Sequence, residues 1–590
     1  MKNLFLILSA LTGLFLSSGL SSNTPQSPKI DRKPGPAQWG RRALKSMPQF
    51  DPDSTDAFQV DLRCYDLSKL DLTHSLDDLL CATFDNRTVW PDSSHLPRNF
   101  DPNQIIETGK NPGLGIRALH ERGITGRGVA IAILDQPLLV HHEQYADRLR
   151  LYEEISIKNG TTAQMHGPAV ASIAVGKTLG VAPSADLYYI AEWNGDWKNG
   201  KFTWDFKYLA RGVRRILEIN KQLPKDKKIR LISISVGWHP SQRGYKEITD
   251  AVQQARDAGM LVICSSTDQV HGFGFHGLGR SPLANPDDFN SHEPGLWWAK
   301  MFYQGNQFHS GLNRLLVPMD SRTTASPTGP GDYVFYRHGG WSWAIPYIAG
   351  AYALAAQVEP NITPDRFWAL AMRTGRTIKL DNNGTMIPFG PILEPVKLID
   401  ALKAGELADR NAVSAELAKY KLSIPTVVDS AFQKDVNAKL NQLNIGKTTR
   451  AELIDLFGKP LSYRYGMHTF QETNLPDRYT MVYPDGFSVF MIGNHIRNLH
   501  FKTPGYFFHE KIQVGSSVEE VFELLGQPKE TIEGQQKSKI SSYDVFYKDI
   551  DGRKGHCFYE SRKHGVAMWF VNDNVHELII DRAQPTQGKE

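Results

Sequence analysis

The chain has 590 residues, 41% of them hydrophobic and 22% charged, so it is globular and long enough for three or four domains of about 150 residues. Its formal net charge of +4 is spread along the length without a dense Lys/Arg block, and nucleic-acid binding has no support. Four cysteines in a chain of this size do not make a disulfide scaffold.

Residues 1–22, "MKNLFLILSALTGLFLSSGLSS", place one Lys ahead of a short apolar run and then small residues, the pattern of an export signal. This predicts a secreted or cell-envelope protein. The apolar core is short for a spanning helix, an uncleaved anchor being the alternative, and no cysteine near Gly19 to Ser22 is placed to carry a lipid. No later segment approaches the roughly 20 apolar residues of a membrane helix. Residues 23–112 read as an N-terminal extension or pro-segment. Asn23 to Gln49 is rich in Ser, Pro, Lys and Arg without periodicity, as in a mobile linker, and Phe58 to Asn111 carries scattered leucines and then the proline-rich "NRTVWPDSSHLPRNFDP". Cys64 and Cys81 flank a short segment, and either close a local loop, worth about 3 kcal/mol, or remain thiols.

From "GITGRGVAIAILD" the texture changes. "VAIAILD" (Val129 to Asp135), "DLYYIA" (Asp186 to Ala191), "IRLISISVG" (Ile229 to Gly237) and "MLVICSS" (Met260 to Ser266) are continuous apolar runs separated by helix-like segments such as "HGPAVASIAVG" and "YKEITDAVQQARDAG". Strands buried on both faces look like this, so residues 113–404 are expected to form an α/β domain with a parallel sheet flanked by helices. Cys264 falls in the last run and reads as core. The glycine-rich "HGFGFHGLGR" reads as a loop whose histidines are weak metal candidates.

Residues 405–440 are expected to be a helical connector, and an internal repeat follows. "TTRAELIDLFGKP", ending at Pro460, matches "SSVEEVFELLGQP", ending at Pro528. Each copy opens on a capping box, Thr449 with Glu452 and Ser517 with Glu520, and closes on Gly-x-Pro. Hairpin-like strands follow each, which predicts two small α+β modules at 441–503 and 504–582.

A serine needs a base to lose its proton at neutral pH, and the base needs an orienting carboxylate. Asp135 ends the first buried strand, where an open parallel sheet presents its site. His166 begins "HGPAVASIAVG", and Ser342 begins the helical "SWAIPYIAGAYALAA", so both sit at helix starts, where developing negative charge is favoured. Singly, each has a plainer reading: a turn Asp, a helix-start His and a cap Ser.

Together these motifs resemble the subtilisin-like serine peptidases. "GRGVAIAILD" is similar to the strand leading to the catalytic Asp, "HGPAVASIAVG" to the His helix, and "GGWSWAIPYIAG" to the Gly-x-Ser-x-Ala-x-Pro segment of the nucleophile. The order Asp, His, Ser is that family's and not that of the α/β-hydrolases. The resemblance, over about Gly113 to Ala404, implies an exported serine endopeptidase with Asp135, His166 and Ser342 as triad, a protein or peptide substrate, and no cofactor for catalysis. Structural calcium is compatible with the family but not readable here. "ISISVG" resembles the strand that pairs with bound peptide, implying backbone contacts from Ser235, Val236 and Gly237.

This sequence departs from the family pattern after Asp135 ("QPL"), after His166 ("GPA") and at Trp341. The alignment of "LVICSSTD" puts Asp268 where a neutral Asn would donate to the oxyanion. Three resolutions are open: Asp268 held protonated by apolar surroundings, a hydroxyl of Thr267 or Ser266 in its place, or a shifted register. The competing reading is a pseudopeptidase scaffold whose C-terminal repeats bind a protein or envelope partner. Those repeats weakly resemble modules of envelope assembly lipoproteins and of a secreted β-lactamase inhibitor.

Overall fold

In the computed structural model the described residues are 29–580, except 53–57, 199–200, 239–241, 304–312, 421–430, 466–467, 471, 484–485, 503–505, 507, 509–511, 515, 534–544, 549–555, 562–565 and 572–573. The expected signal at 1–22 lies outside them. Among the described residues no helix is long and apolar enough to cross a membrane.

The four apolar runs form strands Ala130–Asp135, Asp186–Glu192, Ile229–Ile234 and Leu261–Cys264 of one parallel sheet. Their continuity has a simple cause. Side chains alternate across a strand, and both faces are covered: Ile131, Ile133, Leu231 and Ile263 enter one hydrophobic core, Ala132, Leu134, Ile232 and Val262 the other. Lys207–Gln222 and Tyr245–Asp257 cover the second face with one apolar stripe each. The first face receives His166–Val175 and Trp341–Val358, which are apolar on nearly every side because other elements enclose them.

The sheet has two further strands. Leu149–Ile155 pairs with Asp186–Glu192, and the two-residue strand Lys29–Ile30 adds outside it, all parallel. Lys29 reaches Glu153 and Arg32 reaches Glu154, each at 2.7 Å. The supposed linker is therefore docked on the sheet through Lys29–Ile30 and Arg32. The rest of the extension packs likewise: Leu62, Leu79, Phe84, Phe100 and Ile105 share a core with Phe335, and Phe84–Asp85 pairs with Tyr333–Tyr336. Cys64 and Cys81 are both free thiols; Cys64 Sγ donates to Asp85 Oδ2 at 3.1 Å, and burial pushes its pKa up to about 12.

The glycine-rich stretch is also not a loop. Gly274–Arg280 is a fully buried strand of a second, five-stranded sheet, parallel to Arg314–Pro318. His271 bonds the Val262 carbonyl at 3.0 Å, and His276 stacks on Trp298, so both rings serve packing.

The helix Arg410–Ala418 of the expected connector docks on the peptidase core through Leu417, and the Arg366 guanidinium donates to the Glu406 carbonyl. Both capping boxes of the repeat form. The two copies do not stand as two modules: their last strands, His495–Phe501 and Asn574–Ile580, pair antiparallel and fuse all ten strands into one sheet over one core. That pairing removes an open edge from each copy.

If the extension is part of the folding unit, Phe84→Ala should cost about 3–5 kcal/mol of stability, because its ring lies 5.3 Å from Phe335 and is fully buried. Chemical denaturation reads this as a lower midpoint for the peptidase transition. An unchanged midpoint would make the extension a removable appendage.

Candidate active site

The three triad candidates meet at the carboxyl end of the central strands. Asp135 is the last residue of its strand and almost wholly buried; its Oδ1 accepts from His166 Nδ1 at 2.7 Å and from the Gln136 N–H at 2.7 Å. That bond assigns the imidazole hydrogen to Nδ1 and leaves Nε2 as the basic nitrogen. Burial pulls the His166 pKa down, but the charge and hydrogen bond of Asp135 outweigh it, and the net shift is upward from the usual 6.5. Gly167 lets this helix start approach the strand end, since a Cβ there would lie 2.4 Å from the Gln136 carbonyl oxygen.

Ser342 lies in the first turn of Trp341–Val358, entered through Gly340 at φ 73°, a left-handed conformation that favours glycine. The helix carries Pro346 one turn on, which has no N–H to give the Ser342 carbonyl. That carbonyl instead accepts from Ser235 Oγ at 3.1 Å, while Ser342 Oγ donates to the Ser235 carbonyl at 3.3 Å. The exchange ties the helix to the residue after strand Ile229–Ile234. The His166 ring packs on Trp343, centroids 5.2 Å apart. Ser342 Oγ is thus turned to Ser235 and not to His166, a looseness common before substrate binds.

Asp268 does not have the apolar surroundings expected of it. It is half-buried in the short helix Thr267–His271, its Oδ1 accepts from Gln269 N–H at 2.9 Å, and its charge supports the buried Arg314. Thr267 Oγ1 is engaged with Cys264, and Ser266 Oγ with both backbone groups of Trp238. The residue of this turn that bonds the Ser235–Gly237 segment is Ser265, whose N–H donates to Val236 O at 3.1 Å.

A cavity of about 290 Å³ opens beside the Asp–His pair, lined by Asp135, His166, Glu192, Asn194, Trp204 and Val236. Glu192 was missed by sequence reading because it looked like the first residue after a strand. It is the strand's last residue, fully buried, with Oε2 making no hydrogen bond. Burial, and then the neighbouring Asp135 charge, push its pKa up to about 8. Among the described residues no three His, Cys, Asp or Glu side chains gather as a metal site would require.

Residues 126–390 match the model of the subtilase family. Alkaline elastase YaB of Bacillus sp. (strain YaB) is 24% identical over 370 residues, 59% of this chain and 88% of that protein. Subtilisin BL of Lederbergia lenta is 26% identical over 258 residues, 41% of this chain and 82% of that one. A solved structure, the prenylagaramide maturation protease PagA, aligns at 18% identity over 50% of this chain and 99% of its own, with a TM-score of 0.33. The chain carries a parallel α/β serine peptidase domain. Residues 126–390 belong to the subtilase family, and the protein is a subtilisin-like serine endopeptidase acting on protein or peptide substrates.

Between about pH 4.5 and 8 the folded protein keeps a proton on Glu192 that the unfolded chain has released, so this group lowers stability progressively as pH rises through that window. Glu192→Gln should therefore stabilise the protein by a few kcal/mol at pH 8–9 and have little effect near pH 4. Denaturant midpoints across pH measure it. An equal effect at both ends would mean that Glu192 is not held protonated.

Proposed function

We propose that Ser342 attacks the scissile carbonyl, that His166 takes its proton and later returns it to the leaving amine, and that Asp135 holds the imidazole in the tautomer this requires. The observation that carries the reading is the buried 2.7 Å bond from His166 Nδ1 to Asp135 at the strand end, beside the helix start that bears Ser342. The substrate backbone lies along Ser235, Val236 and Gly237. The oxyanion faces the N-terminus of Trp341–Val358, where free N–H groups and the helix dipole favour negative charge. Asp268 is not its donor in this reading, since its Oδ1 is already engaged by the Gln269 N–H and the side chain is half-exposed. The chemistry uses side chains and backbone alone and calls for no cofactor.

We place this activity outside the cell or in its envelope on the export pattern of residues 1–22. The C-terminal sheet takes no part in the chemistry, and a protein or envelope partner for it rests on the sequence repeat alone.

Ser342→Ala and His166→Ala should each lower kcat/KM on a general protein substrate by about 10⁴-fold or more with the fold intact; turnover within tenfold of the parent would defeat the assignment. His166 works as a base only when neutral, so kcat/KM should fall as pH drops, with a midpoint above 6.5 in the parent. Asp135→Asn should move that midpoint down as well as lower the plateau, and an unmoved midpoint would assign the acid limb to another group.

Asp268→Ala should stay within about threefold of the parent. A fall of a hundred- to a thousandfold, the usual cost of a lost oxyanion donor, would restore Asp268 to that role.

A further inference from the structure

We propose that the cavity beside the Asp135–His166 pair is a specificity pocket for a basic side chain of the substrate, with Glu192 as the group that recognises its charge. The proposal rests on the reading that a peptide lies along Ser235, Val236 and Gly237 and is cut at Ser342. At about 290 Å³ the cavity has room for one long side chain, and its lining sorts by depth. Trp204, 45% exposed, stands at the rim, stacked on Phe206 and set edge to face against Phe202. Leu134 and Val236 add aliphatic wall, and Glu192, 2% exposed, lies at the floor.

Two acceptor oxygens of this lining have no partner. Glu192 Oε2 and Asn194 Oδ1 are both buried, and neither makes a hydrogen bond within the protein. Among the described residues that line the cavity none is Lys or Arg. Arg211, on the helix Lys207–Gln222, acts on Glu192 from outside the lining, and its guanidinium lies over the Tyr208 ring at 4.5 Å. Asp135 faces Glu192 from the adjacent strand, and His166 lines the same cavity. Glu154, on the strand at the other side, is already paired with Arg32. A buried polar group without a partner is costly, and a ligand that supplies the missing donor recovers that cost.

The lining also selects among ligands. An acidic side chain would meet the Asp135 charge. An apolar one fits the walls but leaves both oxygens unanswered. A Lys or Arg side chain satisfies both requirements, since its methylene stem packs on apolar wall while its head brings several N–H donors to the floor. Without substrate, burial keeps Glu192 mostly protonated at neutral pH; a cation at the floor favours the carboxylate, so binding releases that proton. The preference for a basic side chain therefore strengthens as pH rises through about 8, while Lys, with an ordinary pKa of about 10.4, stays charged.

The test uses the full-length chain and short peptides that carry Lys or norleucine, in turn, at each position near the cleaved bond. At one position kcat/KM at pH 8–9 should favour Lys by about tenfold to a hundredfold, the range of a hydrogen bond to a charged group. The ratio should shrink toward pH 6, and Glu192→Gln, which keeps the shape, should remove it. The same peptides are titrated calorimetrically against the Ser342→Ala protein, where Lys should again bind more tightly than norleucine. That arm does not depend on turnover: peptides bound with the Lys preference but not cut by the parent would defeat the peptidase reading and leave the pocket standing. Equal affinities for Lys and norleucine peptides at every position, or a Lys preference that survives Glu192→Gln, would overturn the pocket whether or not the peptides are cut. Should Glu192→Gln fail to fold, a Lys preference in the parent that does not grow from pH 6 to pH 9 would overturn it equally.

Discussion

A carboxylate buried at the end of a parallel strand is the constraint on which the rest of the site depends. Asp135 has almost no solvent, so its charge must be answered by hydrogen bonds from within the protein. The Gln136 N–H supplies one and His166 the other. Meeting that need brings the His166 helix start onto the strand end, and the glycine after His166 is what lets it come so close. A second acid in the same neighbourhood, Glu192, is pushed up to about 8, first by its own burial and then by the Asp135 charge, and so is mostly protonated at neutral pH.

The other half of the site is organised by a missing hydrogen bond. Pro346 would be a fault in an ordinary helix, since it deprives the Ser342 carbonyl of a donor. Here the loss is made good from outside the helix by Ser235 Oγ, and the helix is locked to the central sheet at the turn that carries Ser342. The same serine's carbonyl holds Ser342 Oγ, so one residue engages both polar groups. Around this join the helices pack closely: a Cβ at Gly350 would lie 2.5 Å from Val181 Cβ, while Tyr347 and Tyr352 of the same helix are fully buried.

Much of this was legible in the sequence, for identifiable reasons. The four central strands showed as unbroken apolar runs because both faces are covered, and Asp135, His166 and Ser342 stood out because three motifs occur in a fixed order; the structure bonds His166 to Asp135 and turns Ser342 Oγ to Ser235. What was hidden broke those rules. Leu149–Ile155 mixes apolar residues with Glu153 and Glu154, whose charges are answered by Lys29, Arg215 and Arg32 from distant segments. Gly274–Arg280 looked like a loop because its glycines read as turns, whereas a Cβ at Gly277 would collide with Met319. The fusion of the two repeats depends on edge pairing between strands far apart in sequence, which no local pattern encodes. Asp268 was set by a motif alignment that does not carry its surroundings, and those proved half-exposed and not apolar.

The docking of the extension changes how the peptidase unit should be understood. A removable pro-segment covers a finished core, but here Phe335 of the peptidase region belongs to the same core as Phe84 and Ile105. Arg337 of that region reaches the Leu80 carbonyl, and Thr323 the Ile106 carbonyl. These contacts surround the buried Arg280, Arg322 and Arg337, so the charges least easily accommodated in the molecule lie where the extension meets the segment leading to Ser342. Separation of the extension would expose that cluster to water, which favours the charged guanidinium groups, and at the same time uncover the aromatic core beside it. The two effects oppose each other: hydration of the guanidinium groups favours opening, and burial of the aromatic core favours the closed join.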